Sequence, residues 1–174
     1  MGTKRIGLAR VEALIENLKR DLALGGSTIS GNKRKVVALT DAGEAAAIRV
    51  PLTVAESGTV FLVPGLTNGG QTLVLPALDA DTVGTTYTFN MTATAAQTLT
   101  ISTPGAEKII GCVPDGAGDN AAASDANDSV AFAATAIVGT HFSLTCVSAT
   151  AGIAWLLHDV VEGIAVNTGT VVLA

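Results

Sequence analysis

From Ala45 onward, apolar residues return at every second position, and that rhythm restricts the fold before any other feature is considered. In Thr86-Tyr87-Thr88-Phe89-Asn90-Met91 the side chains of Tyr87, Phe89 and Met91 fall on one side of an extended chain and the polar residues on the other. The same spacing groups Leu73 with Leu75, Leu99 with Ile101, Phe142 with Leu144 and Cys146, and Ile153 with Trp155 and Leu157. One apolar and one wettable face per strand is the pattern of an antiparallel sheet with one side exposed to water. Turn signals cut the runs short: Glu56-Ser57-Gly58, Pro64-Gly65, Asn68-Gly69-Gly70, Asp81 to Gly84, Pro104-Gly105, Pro114-Asp115-Gly116, Gly139 and Gly152. Roughly ten to twelve short strands so spaced predict a mainly β fold, an antiparallel β-sandwich or jelly-roll-like domain. The stretch from Pro114 to Asp128, rich in Ala, Gly, Asp and Asn, breaks the rhythm and is expected to be an exposed, mobile loop.

Composition fits this reading. With 174 residues the chain has room for one domain with a proper core. Only 14% of residues are charged, so much of the surface must be Thr, Ser, Asn, Ala and Gly.

The first 24 residues behave differently. Leu8, Val11, Ile15, Leu18 and Leu22 are spaced three and four apart, which places them on one stripe of a helix. Thr3 is a suitable N-cap, and Gly25-Gly26 can take the left-handed conformation that ends a helix. The segment Gly25 to Asn32 is a flexible linker by composition. These features divide the chain into a basic amphipathic helical arm with a Gly/Ser linker, residues 1–32, and a β-sandwich domain, residues 33–174. A helix of this length is marginal by itself and needs a partner surface. That surface is its own domain, its own copies, or another protein.

Charge changes sign near the same boundary. Residues 1–35 hold eight basic and three acidic residues, net +5, whereas residues 36–174 hold two basic residues against twelve carboxylates, net −10. An acidic body repels nucleic acid and anionic membrane, while a basic arm is drawn to an acidic protein surface. Candidate partner-binding residues are therefore the stripe itself with its basic neighbours Arg5, Arg10, Lys19 and Arg20. Lys33-Arg34-Lys35 reads as the solvated start of a strand over Val36-Val37-Ala38-Leu39, not as a nucleic-acid patch. No stretch approaches the roughly 20 apolar residues that span a bilayer, so a soluble protein made in the cytoplasm is expected.

The chemical candidates are few. Asp115, Asp119, Asp125, Asn127 and Asp128 offer oxygen ligands, but their spacing matches no calcium loop, and no metal site is expected. Cys112 and Cys146 lack metal-site spacing and are expected to be buried free thiols. His158-Asp159 invites comparison with a catalytic pair, yet neighbours on a regular strand point to opposite faces and should not bond directly. By alternation His141 should point outward. With no P-loop, dinucleotide fingerprint or nucleophile elbow, no enzyme activity and no cofactor are expected.

Several stretches together resemble a family of small virion proteins of tailed bacteriophages, marine and cyanobacterial phages among them. They are Ser57-Gly58-Thr59-Val60-Phe61-Leu62, Thr72-Leu73-Val74-Leu75-Pro76, Gly84-Thr85-Thr86-Tyr87-Thr88-Phe89, Leu99-Thr100-Ile101, Ile109-Ile110-Gly111, Asp128-Ser129-Val130, and Trp155 followed by Gly163-Ile164. The opening Lys4-Arg5-Ile6-Gly7-Leu8-Ala9-Arg10 is similar to the N-termini of such proteins. The resemblance implies a capsid decoration (cement) protein, an oligomer such as a homotrimer, bound to the major capsid protein on the outside of the head. It carries over no catalytic residues. A head-fibre or tail-associated protein that binds a host receptor or glycan is the alternative.

Overall fold

The computed structural model describes residues 34–41, 49–114, 120–121, 127–161 and 171–173. Within them the alternating stretches become thirteen strands: β1 (Val36–Ala38), β2 (Arg49–Pro51), β3 (Thr59–Val63), β4 (Gln71–Val74), β5 (Thr86–Met91), β6 (Leu99–Ser102), β7 (Glu107–Gly111), β8 (Val113–Pro114), β9 (Asn120–Ala121), β10 (Ser129–Phe132), β11 (His141–Cys146), β12 (Gly152–Val161) and β13 (Val171–Leu173). One sheet has the order β1-β3-β5-β11-β12-β7, a second the order β13-β10-β6-β4-β2, and β8 pairs with β9. The protein is mainly β, and the helical structure among the described residues is a single 3-10 turn, Val54–Glu56. The helical arm and linker expected over residues 1–32, and the boundary before residue 33, lie outside the described residues.

The sheets are mixed, which corrects the antiparallel expectation. β1 runs parallel to β3 and β3 to β5, while in the other sheet β2 runs parallel to β4 and β4 to β6. The cause is the path of the chain, which alternates between the sheets from β1 to β6 and returns each time in the same direction. Val36 pairs with Val60 and Arg49 with Thr72, 24 and 23 residues on; Thr59 pairs with Tyr87 and Gln71 with Leu99, both 28 residues on. The first half is thus a two-sheeted coil whose successive turns stack in both sheets. Antiparallel pairing begins where β11 joins β5 and β12, and where β10 joins β6 and β13. A two-residue period reports which face is buried and says nothing about the direction of the neighbouring strand.

Both sheets close on one core. Tyr87, Phe89 and Met91 of β5 are buried as the alternation predicts, as are Leu73, Leu75, Leu99, Ile101, Phe142, Leu144 and Cys146. Phe132 of β10 and Phe142 of β11 meet across the two sheets with ring centroids 4.6 Å apart. Phe61 stacks on Phe89 at 5.3 Å and Tyr87 on Trp155 at 6.0 Å, which continues the aromatic layer along the six-stranded sheet. The buried Tyr87 hydroxyl donates to the Thr53 carbonyl at 2.8 Å, so the ring brings no unpaired polar group into the core.

Three expectations fail locally. Ile153 does not share the buried face of Trp155 and Leu157 but is 45% exposed, because a register irregularity lies between Ile153 and Trp155 where β12 pairs with β7. Cys112 is exposed and only Cys146 is buried: Gly111 and Val113 take the inward positions on either side of Cys112. Asn127, assigned to the exposed loop, is buried, and its carbonyl accepts the Ile109 N–H at 2.8 Å.

The segment after β1 is tied to the turn before β4 by one carboxylate. Asp41 Oδ2 accepts hydrogen bonds from the Thr67 N–H, the Thr67 hydroxyl and Asn68 Nδ2 at 2.8, 3.0 and 3.1 Å. Gln71 Nε2 adds a bond to the Thr40 carbonyl at 2.8 Å. These bonds hold β1 at the edge of its sheet, and with it the Arg34 that precedes the strand.

Candidate functional site

Strands β5, β11 and β12 lie side by side, so their non-core positions form rows across the outer side of the six-stranded sheet. Thr88, Ser143 and His158 are direct cross-strand partners in one row, and Thr86, Thr145 and Leu156 in the next. The row positions nearest β5 are small and hydroxylated, which leaves a depression where longer side chains would have filled the surface. Thr88 Oγ1 and Ser143 Oγ share a hydrogen bond of 3.0 Å. Thr145 Oγ1 lies 2.8 Å from His158 Nε2, a diagonal contact between the rows.

At its far end β12 bulges. Ser143 pairs with His158 and His141 with Val161, so three residues of β11 face four of β12. Asp159 takes the strain at φ 52°, in the left-handed region that Asp tolerates better than most residues. This turn in the backbone brings the Asp159 carboxylate back to its neighbour, and His158 Nδ1 sits 2.9 Å from Asp159 Oδ2. The expectation that the two could not bond directly is corrected: the rule for a regular strand fails at a bulge. His141 is half-buried, and its Nδ1 meets the Gly139 carbonyl at 2.9 Å.

The depression is a cleft of about 160 Å³ lined by Arg34, Gly58, Thr86, Thr88, Ser143, His158 and Asp159. Gly58, at φ 78°, turns the chain into β3 and leaves open space where a Cβ would stand. Arg34 and Asp159 bring opposite charges to the cleft without forming an ion pair with each other. The imidazole thus lies between the Asp159 carboxylate at Nδ1 and the Thr145 hydroxyl at Nε2, the spatial order of a hydroxyl–imidazole–carboxylate relay. Thr145 is not among the residues that line the cleft. A molecule in the cleft is therefore bordered by Arg34, Asp159, His158 and the Thr88–Ser143 pair, and not by Thr145. The relay fixes the ring and aims Asp159.

A second feature of the same sheet is apolar. Val147, Ile153 and Leu156 are 48%, 45% and 40% exposed, at and beyond the paired ends of β11 and β12. Leu156 is the third member of the Thr86–Thr145 row.

The predicted partner-binding residues Leu8, Val11, Ile15, Leu18, Leu22, Arg5, Arg10, Lys19 and Arg20 lie outside the described residues, as do Asp115, Asp119 and Asp125. Asp128 pairs with Lys108, and among the described residues no group of His, Cys, Asp and Glu is placed to hold a metal ion. No protein-family model matches the chain, and no curated protein matches it in sequence.

Proposed function

We propose that the chain is a structural virion protein, a capsid decoration (cement) protein that binds the outside of a phage head as an oligomer, a homotrimer, with the N-terminal arm as anchor. In this reading the body is a two-layered β-sandwich of mixed sheets, and its partners are the major capsid protein and its own copies, not nucleic acid or membrane. It would be made in the host cytoplasm and reside on the capsid surface. The observation that carries the proposal is the charge division: the arm and linker, residues 1–32, hold five basic and three acidic residues, net +2, and the body, residues 33–174, holds five basic residues against twelve carboxylates, net −7. It makes the arm the positive element available for docking on an acidic partner. The resemblance to phage virion proteins supplies the class of partner. Support from the body comes from Val147, Ile153 and Leu156, exposed apolar side chains of β11, β12 and their ends that a neighbouring copy could cover.

A single arm of this length binds weakly, because ordering its backbone offsets much of what burying its stripe contributes. Several arms on one oligomer gain from effective concentration. Full-length protein carrying Ile15→Glu and Leu18→Glu should keep the β spectrum and the thermal transition of the body and lose binding to heads. Undiminished occupancy by that variant refutes the anchor. Copy number separates decoration from the alternative, a receptor-binding head fibre or tail part: decoration repeats over the whole head, and a fibre does not.

A further inference from the structure

The cleft on the six-stranded sheet plays no part in the decoration reading, and its chemistry is specific. Arg34 has no hydrogen-bond or ion-pair partner among the described residues, so its guanidinium keeps five N–H donors. Asp159 uses Oδ2 for His158, which leaves Oδ1 as an acceptor. The Thr88 and Ser143 hydroxyls use one proton between them and keep the other. Donors and acceptors thus converge on about 160 Å³, the liquid volume of roughly five water molecules.

Charge decides what fits. An anion would satisfy Arg34 and meet Asp159; a cation would do the reverse. A neutral molecule with adjacent hydroxyls satisfies both, donating to Asp159 Oδ1 and accepting from Arg34 and from the Thr88–Ser143 pair. The cleft is smaller than the ~300 Å³ at which pockets for drug-sized ligands begin, so it suits one small ring. We infer that this cleft is a binding site for a neutral polyhydroxylated ring, a single saccharide unit, held between Arg34 and Asp159. His158 is a positioning residue: locked between Thr145 and Asp159, it holds the carboxylate in the orientation set by the bulge. The inference does not depend on the protein's location in a particle.

Amide NMR on the full-length protein tests it, with the methyl glycosides of glucose, mannose and galactose as probes and acetate, phosphate and methylammonium as charged controls. The expected result is saturable shifts at Thr86, Thr88, Ser143, His158 and Asp159 for at least one glycoside, with weaker or no response to the ions. Asp159→Asn keeps a residue that tolerates the left-handed backbone and removes the charge, and Arg34→Gln alters an exposed residue outside the strands. Each should weaken glycoside binding at least about tenfold, the scale of losing a hydrogen bond to a charged group. No saturable shift with any glycoside, tighter binding of an ion than of the glycosides, or affinity unchanged in Arg34→Gln overturns the inference.

Discussion

Gly111 shows how closely two neighbouring strands are fitted. It pairs with Leu157 across parallel β7 and β12, and a Cβ there would stand 2.5 Å from the Leu157 Cβ and 2.8 Å from its carbonyl oxygen. Gly111→Ala should therefore destabilise the body by about 1–3 kcal/mol, the usual range for overpacking, measured as a lowered urea midpoint at unchanged slope. The two thiols make a second residue-scale contrast. Burial pushes the Cys146 thiol up in pKa, whereas Cys112 is exposed. A maleimide added to native protein should modify Cys112 and spare Cys146 until the protein unfolds, as read by mass spectrometry of its peptides. At Asp79 the Thr82 hydroxyl, 2.6 Å from Oδ1, leads the interactions that hold the carboxyl below its usual range. A lowered folded pKa stabilises above the unfolded value and ceases to do so as pH falls through the folded one. Stability should thus fall with acid below about pH 4, and that slope should shrink in Thr82→Ala, which removes the hydroxyl and keeps the backbone N–H bonds to Asp79, as followed by denaturation midpoints.

Strands are the scale at which the sequence was most informative, and also where its limits are clearest. The buried faces of β4, β5, β6 and β11 follow directly from alternation at Leu73, Tyr87, Phe89, Leu99 and Phe142. β12 follows it only in part, since irregularities beside Ile153 and at Asp159 shift side chains off the regular pattern. Such shifts arise from pairing with particular neighbours, which no local period encodes. The cleft was illegible for the same reason. It requires Thr88 to meet Ser143, 55 residues on, and it requires the bulge that turns Asp159 back toward His158. The hint present in the sequence was the run of outward hydroxylated positions at Thr86, Thr88, Ser143 and Thr145. If the bulge depends on the left-handed residue, Asp159→Gly should leave stability nearly unchanged. Asp159→Val should cost about 1–2 kcal/mol, because a β-branched side chain cannot make the local hydrogen bond that lets Asp adopt the left-handed conformation, a difference readable in paired urea titrations.

For the whole molecule, the mixed topology explains how a chain with few aromatic residues builds a core. Alternating between two sheets from β1 to β6 brings Phe61, Tyr87 and Phe89 beside one another, and the later antiparallel strands add Phe132, Phe142 and Trp155 to the same layer. The strand directions were not legible, because a chain that returns through the opposite sheet and one that turns back in a hairpin leave the same alternation. The charge division was legible from composition alone, and the decoration proposal rests on it. Electron microscopy of phage heads incubated with the full-length protein examines that proposal most directly. The account predicts density repeated over the outside of the head, with the N-terminal arm entering the capsid surface beneath each body. Density confined to a fibre or to the tail, or bodies attached to the head by the sheet with the arm directed away from the capsid, would contradict it.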